Sequence, residues 1–266
     1  MKQLDFIKRI LNSLITLPEK NYVANLMILS KLTGETLLRT DGKISEYLFW
    51  DHWFASKGSQ WHSDYVERLD NNSVCCCPHS TILDQLSNNF SLSEILILDV
   101  GAGPLTCINK NYKNIRLNIT AVDVLADLYD EILKKNGINP PIRTQLCSGE
   151  KLNEMFSEKS FHWINGRNTL DHMEQPLKCI MSMLDLLKPE GIITLFHKEY
   201  EGKQENYSGY HQWDFFVNDG DFCISRRNNE DFTNVTRLIP PTHTIETKMS
   251  TIINGEIEVF IKRNAP

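Results

Sequence analysis

No stretch of this 266-residue chain approaches the roughly 18 consecutive apolar residues of a membrane span. With 41% apolar residues it can nevertheless bury a sizeable core, so membrane insertion is not expected and one compact enzyme is. An excess of basic charge is also missing. There are 28 Lys and Arg against 34 Asp and Glu, a net charge of −6 at pH 7, which argues against a nucleic-acid backbone as substrate. The seven cysteines lack the spaced pairs that a tetrahedral zinc site needs. Cys75, Cys76 and Cys77 are adjacent and point in different directions, so they are read as reduced thiols and no metal is assigned. Residues 1–20 carry charges interleaved with Leu4, Ile7, Leu11, Leu14 and Ile15. That spacing predicts an amphipathic helix ending before Pro18 instead of a signal peptide, and a cytoplasmic location.

What the chain does have is an apolar run that stops in a glycine turn: residues 95–106, ILILDVGAGPLT. The run is continuous instead of alternating, as in a parallel strand covered by helices on both faces. Gly101 and Gly103 allow a sharp turn and a close ligand approach. The dinucleotide fingerprint would place a third glycine where this chain has Thr106, and Pro104 and Leu105 crowd the turn, which disfavours a pyrophosphate. Residues 119–124, ITAVDV, form a second apolar run ending at Asp123, where a carboxylate can accept hydrogen bonds from a ribose diol. Leu125, Leu128, Tyr129, Ile132 and Leu133 then lie on one helical stripe that Asn136 and Gly137 close. Strand, glycine loop, helix, strand, acid and helix make a nucleoside-binding half-fold.

These segments resemble the class I S-adenosylmethionine-dependent methyltransferases over about residue 91 to the C-terminus. DVGAGPLT is similar to that family's first motif and AVDV to its second. CSGEKL, residues 147–152, resembles the segment that holds the adenine, with Ser148 where the usual acid stands, so either Ser148 or Glu150 could meet the base. Residues 161–196, FHWINGRNTLDHMEQPLKCIMSMLDLLKPEGIITLF, are similar to the fourth strand, its helix, the Leu-Lys-Pro-Glu-Gly turn and the fifth strand. Independently of any family, Leu177, Ile180, Met181, Leu184 and Leu187 recur at helical spacing and residues 188–191 break the pattern before another buried strand. The resemblance implies a Rossmann-like, doubly wound, seven-stranded and mostly parallel sheet with a C-terminal antiparallel hairpin. It also implies S-adenosyl-L-methionine as cofactor, held by Asp99, Gly101, Ala102, Gly103, Asp123, Val124, Ser148, Gly149, Glu150 and Asn168.

Two domains are expected, an N-terminal helical lid over residues 1–90 and the methyltransferase domain over residues 91–266. In the lid, Trp50, Trp53 and Phe54 either pin the segment to the sheet, or Trp53, Ser56 and Lys57 reach the ligand. Asn254-Gly255 between residues 245–251 and 256–262 predicts a two-residue hairpin. An insertion at about residues 200–241 is the candidate substrate-binding segment.

Methyl transfer from a sulfonium asks the protein mainly to align a nucleophile and exclude water, with a base where the nucleophile is a hydroxyl. Asp171 and His172 follow the fourth strand, while His197 and Glu199 leave the fifth with both side chains on one side. In sugar O-methyltransferases of the family, a histidine matching His172 and a polar residue near His197 can form the catalytic pair. RNTLDH together with GYHQWDF, which contains His211, resembles methyltransferases from bacterial surface-polysaccharide gene clusters, a resemblance that extends to the one acting on the capsular O-methyl phosphoramidate group. His211, Gln212 and Trp213 would then line the acceptor site, or else plug the insertion. Asp171, His172, His197, Glu199 and His211 could alternatively converge on a divalent metal, although no spacing requires it. The expected function is O-methylation of a small sugar-like or phosphate-bearing precursor by a monomer or homodimer. The alternatives are N-methylation of a small amine and a non-catalytic nucleoside-binding module.

Overall fold

A computed structural model of the chain describes residues 37–265 apart from 77, 91–92 and 252. The helix expected over residues 1–17 lies outside the described residues.

The described chain opens with α1 (Leu37–Ala55), α2 (His62–Leu69) and α3 (His79–Phe90). Then come β1 (Glu94–Val100), β2 (Asn111–Tyr112), β3 (Ile115–Asp123), α4 (Ala126–Lys135) and β4 (Gln145–Leu146). They are followed by α5 (Leu152–Met155), β5 (Phe161–Arg167), α6 (Pro176–Leu186), β6 (Leu187–Lys198) and α7 (Glu201–Gln204). A three-strand unit, β7 (Asp214–Asn218), β8 (Asp221–Arg226) and β9 (Asn228–Asn234), precedes the final hairpin of β10 (His243–Met249) and β11 (Glu256–Arg263).

The main sheet runs in the order β10-β11-β6-β5-β1-β3-β2, with β4 added to β3. Its centre is parallel, since β1 pairs in parallel with β3 and β5, and β5 with β6. The hairpin joins β6 antiparallel. The fold is therefore the expected Rossmann-like α/β sheet, with eight strands instead of seven because the two-residue β2 adds antiparallel to β3. Ile95, Ile97, Leu98 and Val100 are buried, as a continuous apolar run in a two-sided strand requires.

Differences from the sequence reading sit at breaks. Helix α6 ends at Leu186 and the chain enters β6 at once, passing Pro189 and Gly191 inside the strand. A register irregularity between Phe161 and Trp163 absorbs this passage, and Glu190 takes a left-handed conformation with φ 61°. Leu177 and Met181 are only half-buried; Cys179, Ile180, Met183 and Leu184 make the buried face of α6. The 200–241 insertion folds as an antiparallel sheet of its own, β7-β8-β9. Phe215, Phe222, Ile224 and Val235 root it in the main core.

Helix α1 lies against α4. Trp53 and Phe54 are buried with Leu105, Leu125, Tyr129 and Tyr210. Removing each of these two rings from water stabilises the docking by about 1.5–3 kcal/mol. Trp53 packs edge-on to Tyr65 at 5.2 Å, so the aromatic patch pins the helices to the sheet. Six described cysteines are free thiols, and among the described residues none belongs to a group of potential metal ligands.

Candidate active site

The carboxyl ends of β1, β3 and β5 open into one cavity of about 360 Å3. That is the edge where open α/β sheets bind ligands. Its wall contains every residue that the sequence assigned to the cofactor, from Asp99, Gly101, Ala102, Gly103, Asp123 and Val124 to Ser148, Gly149, Glu150 and Asn168. From α1 it receives Glu46, Phe49 and Trp50.

The glycine turn owes its shape to the protein as much as to a ligand. Gly101 and Gly103 have φ of 66° and 64°, which L side chains rarely adopt. A Cβ on Gly101 would stand 1.7 Å from Thr169 Oγ1, and one on Gly103 2.8 Å from the Trp50 ring. Thr106, which replaces the third glycine, donates its hydroxyl to Asp99 Oδ2 at 2.5 Å and accepts the Ile108 amide at 3.1 Å. Asp99 Oδ1 accepts from Asn165 at 2.8 Å; Thr194 donates to Asn165, and Trp163 Nε1 donates to Thr194. A buried polar chain thus runs through the sheet to the turn. Burial still pushes the Asp99 carboxyl above its ordinary range, against the pull of Thr106 and Asn165.

Asp123 accepts the Leu125 amide on Oδ1 at 2.8 Å and the Gly103 amide on Oδ2 at 3.1 Å. Burial nonetheless raises its pKa to about 6. An ionised carboxylate has about four lone-pair sites, so two remain for a diol. Ser148 bonds to Glu150, whose Oε1 also accepts the amides of Glu174 at 2.9 Å and Gln175 at 3.3 Å. Glu150 therefore ties the adenine-side loop to the start of α6, and hydrogen bonding outweighs burial to hold it below its ordinary range.

On another part of the wall stands a cluster that brings two distant motifs together. His211 Nδ1 lies 2.7 Å from Asp171 Oδ2, and His172 Nε2 lies 3.3 Å from both of those atoms. Asp171 is fully buried, whereas His172 and His211 line the cavity. Burial favours a protonated Asp171, but the two imidazoles beside it and the His211 hydrogen bond hold it below the usual carboxylate range. Burial would lower His211; its bond to Asp171 outweighs that and raises it. Glu201, buried at the start of α7, is raised to about 7 by burial and by the charge of Asp171. Neither Glu201 nor Glu46 was singled out in the sequence, because each depends on a chain crossing that no local pattern encodes.

The insertion is clamped to the turn that carries His172. The Gln212 amide donates to the Asp171 carbonyl at 3.2 Å, and Trp213 Nε1 donates to the Met173 carbonyl at 2.8 Å. Gln212 Nε2 donates to the carbonyls of Tyr207 and Gly209. Of the expected acceptor trio, His211 lines the cavity while Gln212 and Trp213 build the clamp.

Two expected catalytic residues take other places. His197 is 1% exposed and stacks on Phe215 at 4.6 Å, and neither ring nitrogen has a hydrogen-bond partner among the described residues. The Phe215 ring from the insertion covers it, and burial lowers its pKa to about 4. Glu199 follows β6, where its amide donates to the Gly255 carbonyl, and it is not part of the cavity wall. In the lid, Glu46, Phe49 and Trp50 meet the cavity, whereas Trp53, Ser56 and Lys57 do not.

Residues 98–195 match the profile of a methyltransferase domain family. No curated protein matches the chain. Among solved structures, the plantazolicin methyltransferase BamL, in complex with a triazolic desmethylPZN analog and SAH, is similar. The match has 14% identity and a TM-score of 0.50, and covers 86% of this chain and 98% of that one. The 1,6-didemethyltoxoflavin-N1-methyltransferase of Burkholderia thailandensis matches at 15% identity and a TM-score of 0.44, over 83% of this chain and 87% of that one. A methyltransferase from Clostridium acetobutylicum matches at 13% identity and a TM-score of 0.42, over 70% and 91%. The chain thus has a Rossmann-like α/β fold, and its residues 98–195, which hold the glycine turn and the parallel centre of the sheet, are similar to a methyltransferase domain.

Proposed function

We propose that the protein is an S-adenosylmethionine-dependent O-methyltransferase acting on a small, sugar-like or phosphate-bearing precursor of a bacterial surface polysaccharide. The observation that carries this reading is the sharing of one cavity by the Asp123 side and the Asp171–His172–His211 cluster. The Asp123 side suits a nucleoside. Its carboxylate has free lone pairs, and the turn at Gly101 and Gly103 leaves the backbone bare. When bound, S-adenosylmethionine supplies an electrophilic methyl group on a positive sulfur.

The chain's own residues then have three tasks. Asp123 orients the ribose, and Phe49 and Trp50 of α1 cover the cavity and exclude water. The cluster holds the acceptor's hydroxyl in line and receives the charge that its ionisation creates. A hydroxyl acceptor needs such help because it is a poor nucleophile while protonated. An amine acceptor would leave a buried carboxylate with two histidines unused. The polysaccharide setting rests on the RNTLDH and GYHQWDF motifs, with the capsular phosphoramidate as its most specific form.

Calorimetry with S-adenosylmethionine and S-adenosylhomocysteine tests the cofactor, and binding of neither by the folded protein would remove the assignment. A panel of hydroxylated sugars, sugar phosphates and small amines tests the acceptor. Methylation confined to the amines would reject the oxygen assignment, and binding without turnover on any acceptor would favour a nucleoside-binding module. His172→Ala is expected to cut turnover about 100-fold or more with cofactor affinity retained; an unchanged rate would reject a role for His172.

A further inference from the structure

We propose that Asp171, His172 and His211 form a binding site for one divalent transition-metal ion, whose open coordination positions take the oxygen of the acceptor. The proposal deepens the reading above and rests on it for the identity of the acceptor, but not for the metal site.

The three donor atoms are Asp171 Oδ2, His172 Nε2 and His211 Nδ1, with mutual separations of 2.7, 3.3 and 3.3 Å. Ligands on one face of an octahedron are about 3.0 Å apart when metal–ligand bonds are near 2.1 Å. The triangle therefore already has the size of a ligand face. Two imidazoles and one carboxylate on such a face suit Fe2+, Mn2+, Co2+ or Zn2+, and leave positions open for substrate.

Two further observations suit a cation here. Asp171 Oδ1 and Glu201 Oε2 are buried and have no hydrogen-bond partner among the described residues. The groups at ion-pair distance from Asp171 among the described residues are the two imidazoles, which ligate metals when neutral. The second nitrogen of His172 supplies the other observation. His172 Nδ1 faces Glu46 Oε1 at 3.7 Å. A carboxylate beyond the far nitrogen of a liganding histidine is the usual outer support of a metal site.

With the acceptor hydroxyl on the open face, the cation lowers the pKa of that hydroxyl, which gives its proton to solvent. The oxygen forms a bond to the methyl carbon as the carbon–sulfur bond breaks, the electron pair staying on sulfur as a neutral thioether. The histidines remain neutral ligands throughout, and no oxidant or reductant is needed.

The test uses the full chain stripped with a chelator and titrated with Co2+, followed by visible ligand-field absorption, and with Mn2+, followed by electron paramagnetic resonance. One equivalent is expected to bind per chain, with the visible bands of nitrogen and oxygen ligation. His172→Ala and His211→Ala should each weaken binding more than about tenfold, and Glu46→Gln roughly tenfold, while S-adenosylhomocysteine binding persists as the check on folding. Absence of stoichiometric binding, or an affinity unchanged in both histidine variants, would overturn the proposal and leave the cluster as a hydrogen-bonded relay. Cobalt binding without S-adenosylhomocysteine binding would preserve the metal site and sink the methyltransferase reading instead.

Discussion

At the scale of single residues, the most consequential group on the cofactor side is Asp123. Its pKa of about 6 in the free protein means that one pH step below neutrality begins to discharge it. A diol donates hydrogen bonds to the ionised form, so cofactor binding is nearly full at about pH 7, is halved near pH 6 and is lost as pH falls further. Between pH 7 and pH 5 the affinity for S-adenosylhomocysteine should drop about tenfold, since each unit below a pKa removes tenfold of the ionised form. Asp123→Asn should bind weakly at both pH values and lose this dependence; isothermal calorimetry in matched buffers decides it. Thr106 makes a second residue-scale point. Its mismatch with the dinucleotide pattern is visible in the sequence, but its bond to Asp99 is not.

At the scale of elements, the clamp between the insertion and the turn after β5 sets the active site. Gln212 is 7% exposed and holds the 207–213 segment through two carbonyls of that segment and the backbone of Asp171. In Gln212→Ala the partly buried Tyr207 carbonyl and the buried Gly209 carbonyl lose their donor, the latter at a cost of about 1–3 kcal/mol, and His211 loses its fixed position. Misplacement of a reacting group by about 1 Å can cost on the order of 100-fold in rate. Gln212→Ala should therefore lower kcat more than tenfold with cofactor affinity unchanged, which steady-state kinetics and calorimetry would separate. Equal losses in both would mean that the clamp supports the whole cavity. The insertion was legible as a separate segment from its length and aromatic content, and it brings Tyr210 and His211 to the cavity wall. Its three strands went unread although Asp219-Gly220, the two-residue turn between β7 and β8, is a strong hairpin signature; the β8-β9 connection, with a register irregularity at Ser225 and Arg226, carries no such signature.

At the scale of the whole molecule, buried histidines make stability depend on pH. His79 and His197 are 8% and 1% exposed, and burial lowers each to about 4 from an ordinary 6.5. The unfolded chain then binds more protons between pH 6.5 and 4, so the stability that these groups allow is complete above 6.5 and falls as pH drops toward 4. Each histidine contributes a loss of about 2 kcal/mol between pH 7 and pH 5. Asp123, whose folded pKa is raised, works in the opposite direction over the same interval, so the total slope is smaller than the histidines alone would give. His197→Phe removes one proton site beneath Phe215 and should shrink the loss by about 2 kcal/mol. Urea unfolding at the two pH values measures it, and an unchanged slope would show that His197 is reached by water.

The sequence by itself determined the central parallel strands, the glycine turn, the acid that ends β3 and hence the nucleoside-binding edge, because each is a local pattern of burial or backbone conformation. Gly101, Gly103 and Asp123 came from such patterns and the other residues assigned to the cofactor from the family resemblance, and all ten line the cavity. Only the tertiary structure assembled the proposed catalytic cluster. His172 and His211 are separated by 39 positions, and what joins them is the buried Asp171 and the backbone clamp of Gln212. His197 and Glu199 stand at a strand end with the right chemistry, yet the Phe215 ring covers the first and the second misses the cavity wall. Alternation along a strand tells which side a residue takes, but what covers that side is set by a segment folded from elsewhere in the chain.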